Sequence, residues 1–469
     1  MWETDIRALA ARHLVAAKWR CDQDPTSLMN APLRTALGTR ADLDETGPGT
    51  LAGRYLRRFW QPVYHAADLR PGQAVPLRVM CEDYTLYRAE GGSVHLTQAR
   101  CPHRATRLST GWVEGASIRC FYHGWKFAPD GHCAEQPAED EASRHKISVR
   151  TWPAREYLGL VFAYLGDGEP PAFPRYPAFE AFDGLLEIDS YLRHCNYYQN
   201  LENALDMSHV GFVHGDNRNA FDGIGLGRRL QAEESDWGVT YRFERADGQQ
   251  RVQQFGMPNV FYMTALPTEP DVDWQESLFW WVPVDDGSHV QFSLHRVPVS
   301  GDAAERFKAR RQQRRTRIDL AHQDVCDAVL AGLVRLSDVD PARVDLVRLQ
   351  DDVAQVGQGV RVDRRLERFG RSDIGVAVTR RLWVRELEAL RDGRPLKDWR
   401  WSPSLVPRVW AVSPAALGAA TLGHGSAAVP EVVDVRPYVE VALQRLALHG
   451  QPRQPGPAAL AAAGGVAWR

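Results

Sequence analysis

The sequence predicts an α+β protein in which a small antiparallel β domain precedes a larger α+β domain built on an antiparallel sheet. Three observations predict it. Between residues 51 and 166, short alternating segments are punctuated by hairpin-type turns. A Pro/Gly cluster at residues 166–174 then reads as a linker. Beyond it, strand-like alternation mixes with helical spacing.

Along the chain, residues 6–19 are helix-like and lead through a segment ending at Gly47-Pro48-Gly49, so residues 1–50 are expected to form an arm packing on the larger domain. The β domain, residues 51–168, has expected strands at 74–79, 84–88, 94–98, 118–121 and 158–165, with turns at Gly91-Gly92 and Pro129-Asp130-Gly131. The second domain, residues 169–400, has expected strands at 239–244, 260–266, 278–284 and 290–297. Its helices are expected at 303–335 and 376–392, the latter closed by Gly393 as a C′ glycine. Residues 401–469 form an Ala/Gly/Pro-rich C-terminal extension with one amphipathic stretch at 438–448.

At 469 residues the chain has room for two or three units with sizeable cores. A content of 44% hydrophobic and 25% charged residues is a globular profile, and 15 Trp supply material for aromatic-lined pockets. Fifty-seven basic residues against 59 acidic ones leave a formal charge of -2, so neither nucleic acid nor a membrane is an expected partner. Charges interrupt the amino terminus where a signal peptide needs an apolar core, and a cytoplasmic location is expected. The 7 cysteines, Cys21, Cys81, Cys101, Cys120, Cys133, Cys195 and Cys326, are odd in number and scattered, unlike a disulfide framework.

Two segments carry chemistry. Cys101-Pro-His103 and Cys120-Phe-Tyr-His123 present two thiols and two imidazoles from two loops. Thiolate suits iron–sulfur chemistry, and imidazole on one iron raises the reduction potential. A Cys₂His₂ zinc site uses the same ligand types, although the spacing of a zinc finger differs. Cys133, nearby, reads as a buried small residue. Residues 196–214 then concentrate acids, amides and histidines in a segment of helical spacing. Asp206 and His209 stand at i,i+3, where a carboxylate fixes a histidine's tautomer. His209 and His214 are off one helical stripe. A bulge or helix end between them, made cheap by Gly211, brings both to one metal.

Cys-x-His-x16-Cys-x2-His followed by Gly124-Trp125 resembles the Rieske [2Fe–2S] motif. Farther on, Asn203-x2-Asp206-x2-His209-x4-His214 resembles the mononuclear-iron motif of the Rieske non-haem iron oxygenases. The resemblance implies Cys101 and Cys120 on one iron of a [2Fe–2S] cluster and His103 and His123 on the other. It also implies a mononuclear Fe(II) on His209, His214 and a distant carboxylate, in a helix-grip-like catalytic domain. Thr106 and Tyr122 stand where respiratory-chain Rieske proteins carry disulfide-forming cysteines, so the chain resembles the oxygenase and ferredoxin branch. The stretch Gln350 to Gly359, then Asp363-Arg364 and Ser372-Asp373, resembles the phthalate-dioxygenase-like, aryl O-demethylase branch, departing from it at Val356, where glutamate is commoner. That implies Asp351 as the carboxylate ligand, with neighbouring Asp352 as the alternative.

The activity so implied is that of a terminal oxygenase component, which activates O₂ at the mononuclear iron to hydroxylate or O-demethylate a small carboxylated or methoxylated aromatic. Ring cis-dihydroxylation is the alternative within the family; an electron-carrier protein and a zinc-stabilised binding module are alternatives outside it. Asp206 and Asn203 are the catalytic candidates. Asp206 is the expected electron bridge in a head-to-tail homotrimer or dimer of trimers, where His103 or His123 of one subunit approaches it from the next. Electrons are expected from a separate NAD(P)H-dependent reductase, with or without a ferredoxin, because Gly223, Gly225 and Gly227 lack the strand and spacing of a nucleotide site. The run at 306–317, with Arg310, Arg311, Arg314 and Arg315, offers that partner a basic face, or is a solvated helix face. Residues 259–266 and 278–284 are expected to supply pocket aromatics.

Overall fold

The computed structural model of the chain describes residues 41–140, 145–214, 228–244, 250–265, 272, 275–315, 320–400 and 434–448. The helix expected at 6–19, Cys21, the glycines at 223–227 and most of the C-terminal extension lie outside the described residues.

Three antiparallel sheets make up the first unit. Ala74–Val79, Glu82–Arg88, Val94–Gln98 and Thr151–Trp152 pair in that order. Trp112–Glu114, Ser117–Arg119, Lys126–Phe127 and Cys133–Glu135 form a second sheet, and Trp60–His65 pairs with Leu160–Tyr164 beside Ala154–Tyr157 in the third. Two expected strands are shorter than their apolar runs. The run at 118–121 stops at Arg119 because Cys120 opens a loop. The run at 158–165 starts at Leu160 because Leu158 and Gly159 adopt φ of 49° and 78°, the left-handed geometry of a tight turn.

The second unit carries a seven-stranded antiparallel sheet in the order Leu185–Arg193, Ser288–Val297, Gln275–Asp285, Val260–Ala265, Gln250–Gly256, Gly238–Glu244, Arg228–Glu234. Its long central hairpin buries Leu278, Trp280, Phe292 and Leu294. The helical stretch expected at 303–335 divides into Gly301–Arg315 and His322–Leu330, the second closed by Gly332 at φ 72°.

Four helices position the chemistry: α1 (Tyr197–Ala204), α2 (Val210–Val213), α3 (Leu346–Val356) and α4 (Ile374–Arg391). Asn196 caps α1 by accepting from the Tyr198 N–H, while its amide donates to the carbonyls of Asp44 and Asp286. Tyr197 donates to the Leu43 carbonyl, so residues 41–50 pack on the start of this helix. Helix α4 lies against the turn after α1, and a Cβ at Gly375 would sit 2.5 Å from the Leu205 carbonyl. Only glycine permits that approach. The helix Arg436–Leu448 buries Val439 and Ala442 in the core formed by Val325, Cys326, Leu346 and Leu349, behind α3.

The two units touch through main chain and side chains. The Met80 and Cys81 N–H groups, in a hairpin turn with φ of 50° and 66°, donate to the carbonyls of Pro283 and Val284 at 2.8 and 2.9 Å. His65 Nε2 lies 2.8 Å from Ser190 Oγ, and Asn259 donates to Gln61 at 2.9 Å.

Candidate metal centres

Cys101 and Cys120 open two loops with the same backbone pattern. In each, the cysteine N–H donates to the carbonyl five residues on, Thr106 or Trp125, at 2.8 Å. In each, the N–H four residues on, of Ala105 or Gly124, returns to the cysteine carbonyl at 3.0 Å. The returning residue has positive φ, 58° at Ala105 and 72° at Gly124. The two thiols lie in the core of the β unit with Leu108, Trp125, Phe127 and Cys133. Burial pushes the Cys101 thiol up to about 11, reinforced by neighbouring Cys120, so the Cys101 sulfur is disfavoured as a bare thiolate.

The two imidazoles close the constellation. His103 and His123 have ring centroids 4.4 Å apart, and His103 stacks on Trp125 at 4.4 Å and 4°. Nδ1 of His103 is buried and has no hydrogen-bond partner among the described residues. An orphaned buried ring nitrogen beside two buried thiols is a donor set that a metal cluster satisfies. No disulfide joins the cysteines among the described residues. Phe121 and Tyr122 stand exposed at the loop tip.

In the α+β unit the structure brings together His209, His214 and Asp351, whose nearest ligand atoms all lie within 4.8 Å of one another. Asp351 Oδ1 is 3.5 Å from His214 Nε2 and 3.9 Å from His209 Nε2. Such separations suit donors sharing one ion at roughly 2 Å each. Asn203 Nδ2 donates to Asp351 Oδ1 at 3.2 Å and lies 3.5 Å from His209 Nε2. Burial opposes charge at both His214 and Asp351. Their mutual contact outweighs it, raising the imidazole pKa and, with Arg193, lowering that of the carboxylate.

The local geometry differs from an unbroken helix. Helix α1 ends at Ala204, residues 205–208 turn, and His209 precedes the four-residue α2. The break therefore falls before His209 and not at Gly211, which lies inside α2. The expected helical i,i+3 contact from the Asp206 carboxylate is replaced as well. The Asp206 main-chain carbonyl accepts from His209 Nδ1, while its carboxylate accepts from the Ser208 N–H at 2.8 Å and stays 3.9 Å from the ring. Asp206 orients His209 through its backbone and leaves its carboxylate partly exposed.

The two adjacent aspartates separate cleanly. Successive helical residues point about 100° apart, and in α3 Asp351 faces the histidines whereas Asp352 faces away. Asp352 pairs with Arg193 Nε and His322 Nδ1, each at 2.5 Å. Arg193, 0% exposed, also donates to Asn200, Gln355 and the Tyr191 hydroxyl. Gln350, on the other side of Asp351, holds His214 Nδ1 at 2.9 Å. Sequence reasoning assigned no role to Gln350, Arg193 or His322: the last two come from a strand and a helix far from α3 and carry no local signal.

The remaining expected residues are placed as follows. Asn259 is buried and bonded to Gln61 and the Trp281 carbonyl. Phe261, Tyr262, Leu278, Trp280 and Trp281 are buried within the large sheet. Arg311 pairs with Glu187 at 2.9 Å, so it is not a free cation of the basic run. Among the described residues no helix is long and apolar enough to cross a membrane.

Comparison with known proteins gives two family models: the Rieske [2Fe–2S] domain matches residues 59–153, and the vanillate O-demethylase oxygenase C-terminal domain matches residues 193–309. The chain is 32% identical over 379 residues to the phenoxybenzoate dioxygenase subunit alpha of Ectopseudomonas oleovorans, covering 75% of this chain and 85% of that protein. It is 29% identical over 366 residues to the 5,5'-dehydrodivanillate O-demethylase oxygenase subunit of Sphingobium, covering 76% and 81%. Among solved structures, the terminal oxygenase of carbazole 1,9a-dioxygenase from Novosphingobium superposes with a TM-score of 0.55 at 22% identity, over 76% of this chain and 96% of that one. That likeness establishes a shared fold. Asp351 lies outside both matched ranges and is located here by geometry.

Proposed function

We infer the function of this chain from the fact that it belongs to the Rieske non-haem iron oxygenases, as an oxygenase component using O₂ with a [2Fe–2S] cluster and a mononuclear iron. We propose that Cys101, His103, Cys120 and His123 hold the cluster, that His209, His214 and Asp351 hold the iron, and that the substrate is a small carboxylated or methoxylated aromatic, hydroxylated or O-demethylated. The convergence of His209, His214 and Asp351 carries the reading, because a facial triad of this kind binds one metal and leaves positions open. The electron-carrier and zinc-module alternatives require no second site of this kind.

When bound, the cluster supplies electrons one at a time and the mononuclear iron supplies O₂ activation. The chain's residues do the rest. Asn203 donates to Asp351 Oδ1, steadying the carboxylate. Asp206 holds the His209 ring through its carbonyl, and its partly exposed carboxylate is free to meet a neighbouring subunit. In the proposed head-to-tail trimer or dimer of trimers, the exposed Phe121 and Tyr122 around one subunit's cluster pack near Phe212, 74% exposed, beside the next subunit's Asp206. A separate NAD(P)H-dependent reductase, directly or through a ferredoxin, supplies the electrons; ferredoxin complexes of the carbazole 1,9a-dioxygenase oxygenase support the second route.

The proposed domains are an arm at 1–50, the cluster domain at 51–168, the catalytic domain at 169–400 and an extension at 401–469. O-demethylation is favoured by the C-terminal family match and the dehydrodivanillate-demethylating relative, and ring dihydroxylation by the phenoxybenzoate dioxygenase relative. A screen of methoxylated aromatics and aromatic acids with a surrogate reductase separates them: formaldehyde release marks demethylation, and a dihydrodiol without formaldehyde marks ring attack. If neither substrate class couples to O₂ uptake, the substrate proposal fails. Asp206→Asn is expected to keep both metals yet lose coupled O₂ uptake; unimpaired turnover would rule out the bridge.

A further inference from the structure

Gln350 is 1% exposed and adjoins Asp351 in α3, yet its side chain serves a different neighbour, with Oε1 2.9 Å from His214 Nδ1. A neutral imidazole has a single N–H, and an acceptor oxygen at Nδ1 keeps the proton there. The lone pair then resides on Nε2, the atom 3.5 Å from Asp351 Oδ1. Without that acceptor the balance reverses, because Asp351 is itself an acceptor within reach of Nε2. A proton on Nε2 would pair with the carboxylate and remove both as ligands at once. His209 solves the same problem with the main-chain carbonyl of Asp206, which no side-chain substitution removes. His214 relies on a side chain.

We propose that Gln350 is a positioning residue that sets the tautomer and ring orientation of His214 for iron, an inference that rests on reading His214 as an iron ligand. A carboxylate at this position would make the imidazole a stronger donor.

The test is anaerobic calorimetric titration with Fe(II) of the full chain, cluster intact and mononuclear iron removed, with the visible cluster spectrum reporting that each variant is folded. Gln350→Leu is expected to weaken Fe(II) binding about 10- to 100-fold. Gln350→Glu, which keeps an acceptor oxygen at the same reach, is expected to bind at least as tightly as the parent. Parent-like affinity in Gln350→Leu would overturn the proposal. So would equal weakening in both variants, which would mean that packing and not the acceptor is at stake. His214→Ala runs alongside: if it too binds as the parent does, the iron-site reading itself fails, whereas loss in His214→Ala with none in Gln350→Leu defeats only the role of Gln350.

Discussion

In the β unit, the four residues assigned to the cluster sit in two loops that share one backbone pattern, and the loop hydrogen bonds alone orient the cysteines. In the α+β unit, the three residues assigned to the iron come from the two ends of α2 and from α3, far apart in sequence, and side chains from other elements hold His214 and Asp351. The cluster loops leave a ring nitrogen of His103 unsatisfied, whereas Nδ1 of both His209 and His214 is bonded. A site built from local loops needs the metal to complete it. A site built across the fold must be held open by partners on the ring nitrogens that face away from it.

The largest expected effect tests whether the two regions are independent. Cys120→Ser should abolish the cluster's visible absorbance and leave the mononuclear iron in place, while Asp351→Ala should do the reverse and leave acid-labile sulfide unchanged. Loss of both centres from either change, read by iron and sulfide analysis, would show that one region supports the other.

Next is the frame behind α3. Asp352→Asn leaves the buried guanidinium of Arg193 without its counter-charge, which costs about 3–5 kcal/mol. Chemical denaturation should show that loss in the α+β unit, accompanied by weaker iron retention, since the same helix carries Asp351. Unchanged stability would mean that the Arg193 network does not hold this helix.

Acid should distinguish the regions through His289. This ring is 0% exposed and donates from Nδ1 to the Cys195 carbonyl beside α1. Burial, with Arg193 nearby, pulls its pKa down to about 3. The folded-state value lies below that of the unfolded chain, about 6.5, so the unfolded chain binds the proton more readily. Stability is then full above about pH 6.5 and falls towards the folded value, by roughly 3 kcal/mol at pH 4. Thermal unfolding against pH should show this slope, and His289→Gln should flatten it. A slope unchanged by that substitution would assign the acid sensitivity to other groups.

The smallest effect belongs to the cluster loops. Trp125→Leu removes the ring stacked on His103, a contact worth about 1 kcal/mol beyond the burial lost with it, and is expected to lower the temperature of cluster bleaching with the mononuclear iron unaffected.

The contrast also accounts for what was readable before any coordinates. Cys101, His103, Cys120 and His123 stand in short-range patterns because each loop is one backbone motif, so their chemistry is visible as residue types at fixed spacing. The longer alternating strands were legible for the same local reason, cut short where positive φ at Leu158 and Gly159, or the start of the Cys120 loop, ends a run. Trp60–His65, the short strands Trp112–Glu114, Lys126–Phe127 and Cys133–Glu135, and Leu185–Arg193, Arg228–Glu234 and Gln250–Gly256 were not expected, because their pairing partners and not their own pattern make them strands. His209 and His214 could be picked out as a pair needing a helix break, but the break was expected between them at Gly211 and falls before His209, at the turn where α4 packs against Leu205 through Gly375.

By itself, then, the amino-acid sequence determined the α+β class, the residue types of both centres and the family, since these rest on local propensity and near-neighbour spacing. Only the tertiary structure turned Asp351 towards the histidines and Asp352 towards Arg193, moved the Asp206 contact from carboxylate to carbonyl, and brought Gln350, Arg193 and His322 into play. Each of those outcomes depends on which distant side chain fills the space beside a buried polar atom, and burial makes an unfilled place costly.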